Sequence, residues 1–495
     1  MSAEAEQSQE AAAPAGELDD FSALLKQNFN PRNDVAEKEV NSAVETLVQH
    51  ALGDESLVED DILDTIDKML AALDEKLSVQ INEIIHCDEY QELESSWRGL
   101  SYLVNNSETD ASLKVNVMNA SKAELEKELR MFQGAKWDQS PLFDKVYEQE
   151  FGTLGGQPYG CLVGDYGFDH SPADVRLLRD LGKIAEAAQA PFFTAAAPAL
   201  LGLDSWNDLG KPRDLSTVFD TPDYAAWNSL RDDQNSRYIG VTMPRVLSRE
   251  VYGPDTLPVE GFNFVEETDG HTGSKYAWMN SAYAMAVNIN RAFKESGWTV
   301  QIRGVQSGGE VMNLPTHVFD TGEGDTDLKC PTEFAISDRR EGELSKSGLI
   351  GLIHRKNTDK AAFIGAQSLY RPKTYKNPEA TASDNLSSRL PYMFAVSRFS
   401  HYLKCMVRDQ IGMSRTRGQI ETELQSWIAS YIDADPENSS EADKAKRPLA
   451  AAKVEIIEDE ENPGYYLGKF FLRPHFQMEG MDIGMSLVSK LPTKA

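Results

Sequence analysis

Three carboxylates in a glycine-rich loop are the side chains of this sequence that come nearest to a metal site. Asp320, Asp325 and Asp327 could offer oxygen ligands to calcium, a hard cation that prefers carboxylates. Their spacing departs from the EF-hand loop, however, and no glutamate stands at the position that closes such a loop. A solvated loop is therefore the better interpretation, and we predict neither a metal ion nor an organic cofactor.

Signatures of common catalytic and nucleotide-binding sites are absent from the sequence. None of the patterns GxGxxG, GxxxxGKS/T, GxSxG and HExxH occurs. Glycine clusters at residues 152–156 and 304–309 could present backbone amides to an anion, but turn formation explains them better. With 79 acidic residues, some carboxylate pair always resembles an acid–base dyad. The sequence therefore favours a protein that is not an enzyme.

The four cysteines and eight histidines lack the spacing of a zinc site or a redox pair. We interpret the cysteines as buried thiols in a reducing compartment. They are Cys87, Cys161, Cys330 and Cys405. The histidines that fall within apolar patterns, and are therefore expected in the core or at interfaces, are His86, His354 and His401.

Length and composition indicate a folded chain with more than one domain. At 495 residues, of which 41% are apolar, the sequence can form two to four folded units. A formal net charge of −30 repels nucleic-acid phosphates and anionic lipid headgroups, which argues against both as partners. The sequence begins without a secretory signal and contains no apolar run of about 20 residues. We therefore expect a cytoplasmic protein without membrane insertion.

Helical periodicity dominates the N-terminal fifth of the chain. Residues 1–16 are predicted to be disordered, whereas residues 17–31 are predicted to form a short amphipathic helix. The apolar face of that helix consists of Leu18, Phe21, Leu24, Leu25 and Phe29. Residues 32–106 are predicted to be all-helical, with more apolar surface than a lone helix pair can bury. One apolar stripe there consists of Ile62, Ile66, Met69, Leu70 and Leu73.

Strand and helix patterns alternate in residues 107–375, which predicts an α/β domain with a mixed sheet covered by helices. The predicted strands are residues 113–117, 159–163, 192–196, 238–243 and 299–305. A capping box of Ser121 and Glu124 predicts the start of a helix. Further helices are predicted at residues 172–189, 224–231 and 275–296.

Residues 376–495 are predicted to form an α+β unit, with helices at residues 380–411 and 417–432 and an acidic loop at residues 433–446. The predicted strands that follow are residues 453–457, 465–473 and 482–490. Because a hairpin with few companions is marginal in water, we predict that strands of neighbouring subunits complete this sheet. The strand residues assigned to these contacts are Val454, Ile456, Tyr465, Tyr466, Phe470 and Leu472.

Dense motifs along most of the chain resemble one protein family. The most specific are Cys330-Pro331-Thr332-Glu333, Asp338-Arg339-Arg340-Glu341 and the stretch from Arg398-Phe399-Ser400-His401 to Lys404. Earlier motifs include Trp97-Arg98-Gly99-Leu100 and Val163-Gly164-Asp165-Tyr166. In this order and spacing they resemble the TssC/VipB family, the large subunit of the type VI secretion contractile sheath. An α/β enzyme of unknown chemistry and a tail-sheath protein of another phage-like machine are the alternatives.

The resemblance implies a structural protein that assembles with copies of itself and with the small subunit TssB/VipA. It implies a helical tube around an Hcp inner tube, attached to baseplate components, whose contraction propels that inner tube. It also implies recycling by a ClpV-type AAA+ unfoldase, to which residues 17–31 would be presented. The stripe from Ile62 to Leu73 is then expected to pack with the small subunit.

Four basic residues are predicted to face the inner tube, because an acidic protein needs a local basic surface to hold an oppositely charged partner. They are Lys404, Arg408, Arg415 and Arg417. They lie at the end of one predicted helix and the start of the next, so neutralising a helix C-terminus is the alternative role.

Overall fold

The computed structural model describes residues 62–210, 215–322, 324–458 and 466–477, together with Lys38 and Ser42. Contacts divide the chain into two compact units. The smaller comprises Met1–Cys87 and Val251–Thr268, and the larger comprises Asp88–Glu250 and Asp269–Ala495. The predictions for residues 1–16, for the helix of residues 17–31, for Tyr465 and for the strand of residues 482–490 lie outside the described residues.

The helices follow the periodicity of the sequence, and several begin at residues suited to capping. The α-helices longer than one turn are Ile62–Ile85 (α1), Asp88–Asn105 (α2), Lys122–Met131 (α3), Pro172–Ala188 (α4), Ala225–Arg231 (α5), Ser281–Ser296 (α6), Asp338–Lys346 (α7), Pro378–Ser387 (α8), Leu390–Asp409 (α9), Arg417–Ala429 (α10) and Glu441–Lys446 (α11). Ser121 and Glu124 form the predicted capping box of α3. Ser171 and Asn280 cap α4 and α6 with their side-chain oxygens.

The strands are Leu162–Phe168 (β1), Phe192–Ala196 (β2), Ile239–Met243 (β3), Val246–Leu247 (β4), Trp278–Met279 (β5), Glu310–Val311 (β6), His317–Asp320 (β7), Thr326–Lys329 (β8), Leu349–His354 (β9), Ala361–Phe363 (β10), Leu449–Glu458 (β11) and Tyr466–Pro474 (β12). Six of them form one sheet in the order β1-β2-β3-β9-β10-β6. The first four run parallel, whereas β10 is antiparallel to both of its neighbours. The prediction of a mixed sheet is therefore confirmed.

Both faces of this sheet are buried, because helices cover each of them. In β2, Phe192 and Ala196 join a core cluster with α4, whereas Phe193 joins a second cluster with α6 and α9. Every residue of β2 and of β3 is buried. A strand covered on both faces requires such a continuous apolar run rather than alternation.

Two predicted strands are wrong. Residues 113–117 form no strand. Their side chains make hydrogen bonds in place of a backbone ladder, for example from Lys114 Nζ to Gln157 Oε1 at 2.7 Å. Residues 299–302 alternate in burial as a strand would, but Arg303 is buried directly after Ile302, and Gly304 takes a positive φ of 77°. That backbone conformation turns the chain before a ladder forms.

The helix predicted for residues 380–411 is wrong in length. It is two helices, because Pro391 stands in the first turn of α9 and has no N–H with which to continue α8. The acidic loop predicted at residues 433–446 contains the short helix α11, which Ser440 caps. The interpretation of the cysteines as buried thiols is wrong for Cys87, which is exposed, and the other three, Cys161, Cys330 and Cys405, are half-buried.

Candidate functional site

Helix α1 of the smaller unit has one face fixed by the segment Val251–Thr268. The buried Asn82 amide donates to the carbonyl oxygen of Val265 at 3.0 Å and accepts from the backbone N–H of Glu267 at 2.9 Å. The side-chain oxygen of Asp74 accepts from the backbone N–H of Asn263 at 3.3 Å. These bonds to backbone groups fix the rotation of the helix about its axis.

The opposite part of α1 exposes large apolar side chains. Of the residues predicted to contact the small subunit, Met69 is buried, whereas Leu70 and Leu73 are 47% and 40% exposed. Ile62 and Ile66 belong to the same helix, and their side chains lie outside the described part of the structure. The apolar stripe continues at helical spacing with Leu77 and Ile84.

Helix α2 belongs to the larger unit and combines a packed face with an exposed apolar face. The packed face needs glycine at position 99, because an added Cβ would stand 2.4 Å from the Tyr283 ring. Trp97, two residues earlier in the same motif, is 66% exposed, so the motif places one residue in solvent and another, Gly99, against α6. The exposed large apolar residues of α2 are Tyr90, Leu93, Trp97 and Val104.

The hairpin β11–β12 has more companions than the sequence predicts. Val454 and Ile456 are each 2% exposed and pack on Leu424 and Ile428 of α10. Phe470 and Leu472 pack against the same cluster, and Tyr466 opens β12 with its side chain outside the described part. Within the described residues these two strands form a sheet of their own. The other face of the hairpin exposes Ile457 and Phe471.

The four basic residues predicted at the inner tube divide into two pairs. Arg415 and Arg417 are exposed on the loop before α10 and at its start, where they form ion pairs with Glu423 and Glu421. Lys404 and Arg408 contact the chain itself. Their partners are the Tyr147 hydroxyl, at 2.9 Å from Lys404 Nζ, and the Phe151 carbonyl oxygen, at 3.3 Å from Arg408 Nη1.

The aromatic partners of Lys404 form a chain of ring contacts that the sequence analysis missed. Successive ring centroids from Phe143 to Tyr147, Phe151 and His401 are separated by 4.8, 5.4 and 4.9 Å. The four-residue spacing of the three aromatic residues on one helical face was the signal available in the sequence.

Two charged motifs form ion pairs within the chain. Arg245 donates from Nε and Nη2 to the two carboxylate oxygens of Glu333, at 2.8 and 2.9 Å. The Glu333 side chain is 9% exposed, so this pair supports the Cys330-to-Glu333 motif beside β4. In the other motif, Arg339 and Arg340 both bond Glu343 within α7, at 3.1 and 2.8 Å.

The pair Cys330 and His354 is the arrangement that most resembles a nucleophile and its base. Burial raises the pKa of the Cys330 thiol, but hydrogen bonds with His354 and Thr332 outweigh burial and lower it below its usual value. The imidazole Nε2 lies 2.8 Å from the carbonyl oxygen of Thr358, so backbone orients the ring. The carbonyl oxygen of Pro331, next in sequence, accepts from the Leu247 N–H at 2.8 Å. The hydrogen bond from Leu247 to Pro331 therefore holds β4 beside the segment that contains Cys330.

In the ranges that the structure describes, no three His, Cys, Asp or Glu side chains converge to hold a metal ion. The three aspartates are exposed, as a solvated loop predicts, but Asp320 is the last residue of β7 and Asp327 the second residue of β8, so of the three Asp325 alone lies in the loop. None of the helices formed by described residues is long and apolar enough to cross a membrane.

Comparisons with known proteins cover most of the chain. Residues 67–370 match the VipB family model described as EvpB/VC_A0108, tail sheath N-terminal domain. Residues 379–491 match its companion model, the tail sheath gpW/gp25-like domain. The type VI secretion system sheath protein TssC1 of Pseudomonas aeruginosa is 57% identical over 474 residues, which are 96% of this chain and 95% of that protein.

Two solved structures are similar at low sequence identity. A chain of the anti-feeding prophage baseplate matches with a TM-score of 0.40 and 10% identity, over 77% of this chain and 84% of that one. A chain of the contracted anti-feeding prophage helical sheath matches with a TM-score of 0.28 and 11% identity, over 63% and 66%.

Proposed function

Because this chain belongs to the VipB (TssC) family of type VI secretion sheath proteins and is a structural subunit of the contractile sheath, we propose that it is the large subunit and pairs with the small subunit TssB/VipA. The pair assembles in the bacterial cytoplasm into a helical tube around Hcp rings, joined to baseplate components. Contraction of the tube drives the rings outward, and no catalytic step is assigned to this chain.

The observation that carries the pairing is the exposed apolar stripe of α1. Leu70 and Leu73 remain 47% and 40% exposed although backbone bonds to Val251–Thr268 already hold the helix in place. Burying a leucine side chain contributes about 1.5–3 kcal/mol, so several such residues on one stripe supply much of a stable contact. Helices of the small subunit would complete a bundle with residues 32–106, and the exposed face of α2 offers a second stripe.

Co-expression with the small subunit tests this proposal. A Leu70→Asp/Leu73→Asp variant should lose co-purification and form no tubes in negative-stain micrographs, because each aspartate would be desolvated in the contact. Val79→Asp is the matched control, since Val79 is exposed on the same helix but lies two and a half turns from Leu70, on the opposite side. Normal co-purification of the double variant would contradict the pairing.

Strand addition at the hairpin β11–β12 is the proposed link between neighbouring subunits. The packing of Val454 and Ile456 on α10 supports a preformed hairpin that a partner strand can extend. Backbone hydrogen bonds at its edges would join subunits while allowing each to move as a rigid body. The exposed Ile457 and Phe471 supply apolar area beside those edges.

We propose that Arg415 and Arg417, rather than Lys404 and Arg408, contact the inner tube. The first two are exposed, and their glutamate partners are exposed or half-buried, so the ion pairs can exchange for contacts with a partner. Lys404 and Arg408 already donate to groups of this chain.

Residues 17–31 are proposed as the recognition helix for the unfoldase, and Leu24→Asp/Leu25→Asp should block disassembly of contracted sheaths without affecting their assembly.

A further inference from the structure

A cavity of about 330 Å³ lies between the end of α2, the middle of α6 and the residues that follow β6. Its buried lining includes Asn288, Val287 and Val311, which are 0%, 7% and 1% exposed. Its exposed lining includes Glu108 and Glu295. The cavity thus extends from a charged surface to a wall inside the larger unit, and its volume suits a small ligand.

The side chain of Asn288 lacks a partner on one side. Its Oδ1 accepts from Arg291 Nη2 at 2.9 Å, which orients the amide. Its Nδ2, which is buried, has no hydrogen-bond partner among the described residues. A buried donor without an acceptor is costly and rare in folded proteins. Because Asn288 is 0% exposed, a ligand in the cavity does not reach this nitrogen, and the part that Asn288 plays in the cavity is to hold Arg291 through its Oδ1.

Arg291 adds a fixed positive charge to the same wall. Its Nη2 donates to three uncharged oxygens, those of Asn288, Gly308 and Glu310, at 2.9, 3.0 and 2.6 Å, the last two being backbone carbonyls. Lys294, by contrast, is paired with Asp110 at 2.5 Å. The guanidinium of Arg291 therefore keeps its charge available to a ligand anion.

Tyr102 contributes a second donor. Burial raises the pKa of Tyr102 to about 12, although the charge of Arg291 lowers it, so the hydroxyl keeps its proton at neutral pH. The acids that line the cavity, Glu108 and Glu295, are exposed, where water screens their repulsion. Donors thus line the buried end and acids the exposed end.

We propose that this cavity binds a carboxylate group, whose oxygens accept from the Arg291 guanidinium, which Asn288 holds in place, and from the Tyr102 hydroxyl. The carboxylate comes either from a small free acid or from a side chain of a neighbouring sheath subunit. Only the second source depends on the proposed sheath assembly, because it needs a neighbour to supply the group.

Thermal unfolding of the full-length chain tests the first source. The unfolding midpoint should rise with sodium succinate above its value in sodium chloride of equal ionic strength. Asn288→Leu keeps the size of the side chain and removes the oxygen that holds the Arg291 guanidinium in place, so it should need at least about tenfold more succinate for the same rise. Asn290→Leu is the matched control, because Asn290 lies on the same helix and donates to Ser107 Oγ at 2.8 Å.

Salt-induced dissociation of assembled tubes tests the second source. Tubes of the Asn288→Leu variant should fall apart at lower salt than tubes of wild type and of Asn290→Leu, with no succinate effect on the soluble complex. If Asn288→Leu matches Asn290→Leu in both measurements, the carboxylate site is wrong. If wild type forms no tubes at all, the sheath proposal fails, and the succinate titration alone decides whether the cavity binds a carboxylate.

Discussion

The ammonium nitrogen of Lys404 lies 3.7 Å from the centroid of the Phe151 ring and 2.9 Å from the Tyr147 hydroxyl oxygen. A cation held over an aromatic face in a half-buried position is stabilised by the ring quadrupole as well as by the hydrogen bond. This contact connects α9 with Tyr147, which lies 257 residues earlier in the chain. It makes Lys404 a packing residue of the larger unit.

Lys404→Met should therefore lower the free energy of unfolding by about 1–2 kcal/mol, because it removes the cation–π contact and the hydrogen bond but keeps the apolar stem. Arg415→Met is the control, since its ion pair is exposed and worth less than about 1 kcal/mol. Chemical unfolding of both variants measures the difference. Equal midpoints for Lys404→Met and wild type would show that the contact contributes nothing.

His401 predicts a specific loss of stability in mild acid. Burial lowers its pKa to about 4, despite the bond to the Ala188 carbonyl oxygen, and the charges of Arg398 and Lys404 lower it further. Below pH 6.5 the imidazole of His401 takes up a proton in the unfolded chain but stays neutral in the folded chain. The free energy of unfolding therefore falls by about 1.4 kcal/mol per pH unit until pH 4.

Glutamine at position 401 can still donate to the Ala188 carbonyl oxygen but cannot take up the proton. The free energy of unfolding of His401→Gln should therefore change less than that of wild type between pH 7 and pH 5.5. This range lies above the pKa values of most carboxyl groups. A parallel decline in the two proteins would mean that His401 is not the titrating group.

The bidentate pair of Arg245 and Glu333 should behave as a half-buried ion pair. Arg245→Met leaves the Glu333 carboxylate, at 9% exposure, without its partner and should cost about 2–3 kcal/mol, reduced because the Arg245 side chain is 48% exposed. The double variant Arg245→Met/Glu333→Met should recover part of that loss, since no charge is then left buried. Additive losses in a double-mutant cycle would show that the two side chains are not coupled.

Phe471 should matter for assembly rather than for folding. It is 55% exposed on the outer face of β12, so Phe471→Asp should leave the unfolding midpoint of the soluble complex almost unchanged while it reduces tube formation. Lys469→Asp is the control on the same face of the same strand. Tubes of normal yield from Phe471→Asp would exclude this face.

The strands that the sequence predicts well are those with a local reason to exist. Residues 192–196 match β2 at both ends, because Pro191 and Pro198 flank a continuous apolar run. Residues 113–117 have a strand-like composition but no ladder, and pairing depends on a partner that local sequence does not specify. The presence of a central sheet was therefore predictable, whereas the identity of all the segments that form its strands was not.

The candidate sites show the same division. The apolar stripe of α1 is predictable because helical spacing alone places Leu70 and Leu73 on one side. The internal role of Lys404 is not, since its partner ring belongs to a distant segment and a basic residue near a helix end has several uses. Asn288 likewise reads as a polar residue of an amphipathic helix until its buried environment is known.

The pairing of β3 with β9 also constrains synthesis on the ribosome. Strand β3 ends at Met243, and its partner β9 begins at Leu349, roughly a hundred residues later, which corresponds to about 5–20 s of elongation. Throughout that interval one edge of a strand that is entirely buried in the folded protein has no neighbour in the nascent chain. A chaperone that binds the emerging chain, or a pause in translation, would therefore have its greatest effect while the residues between these two strands are being synthesised.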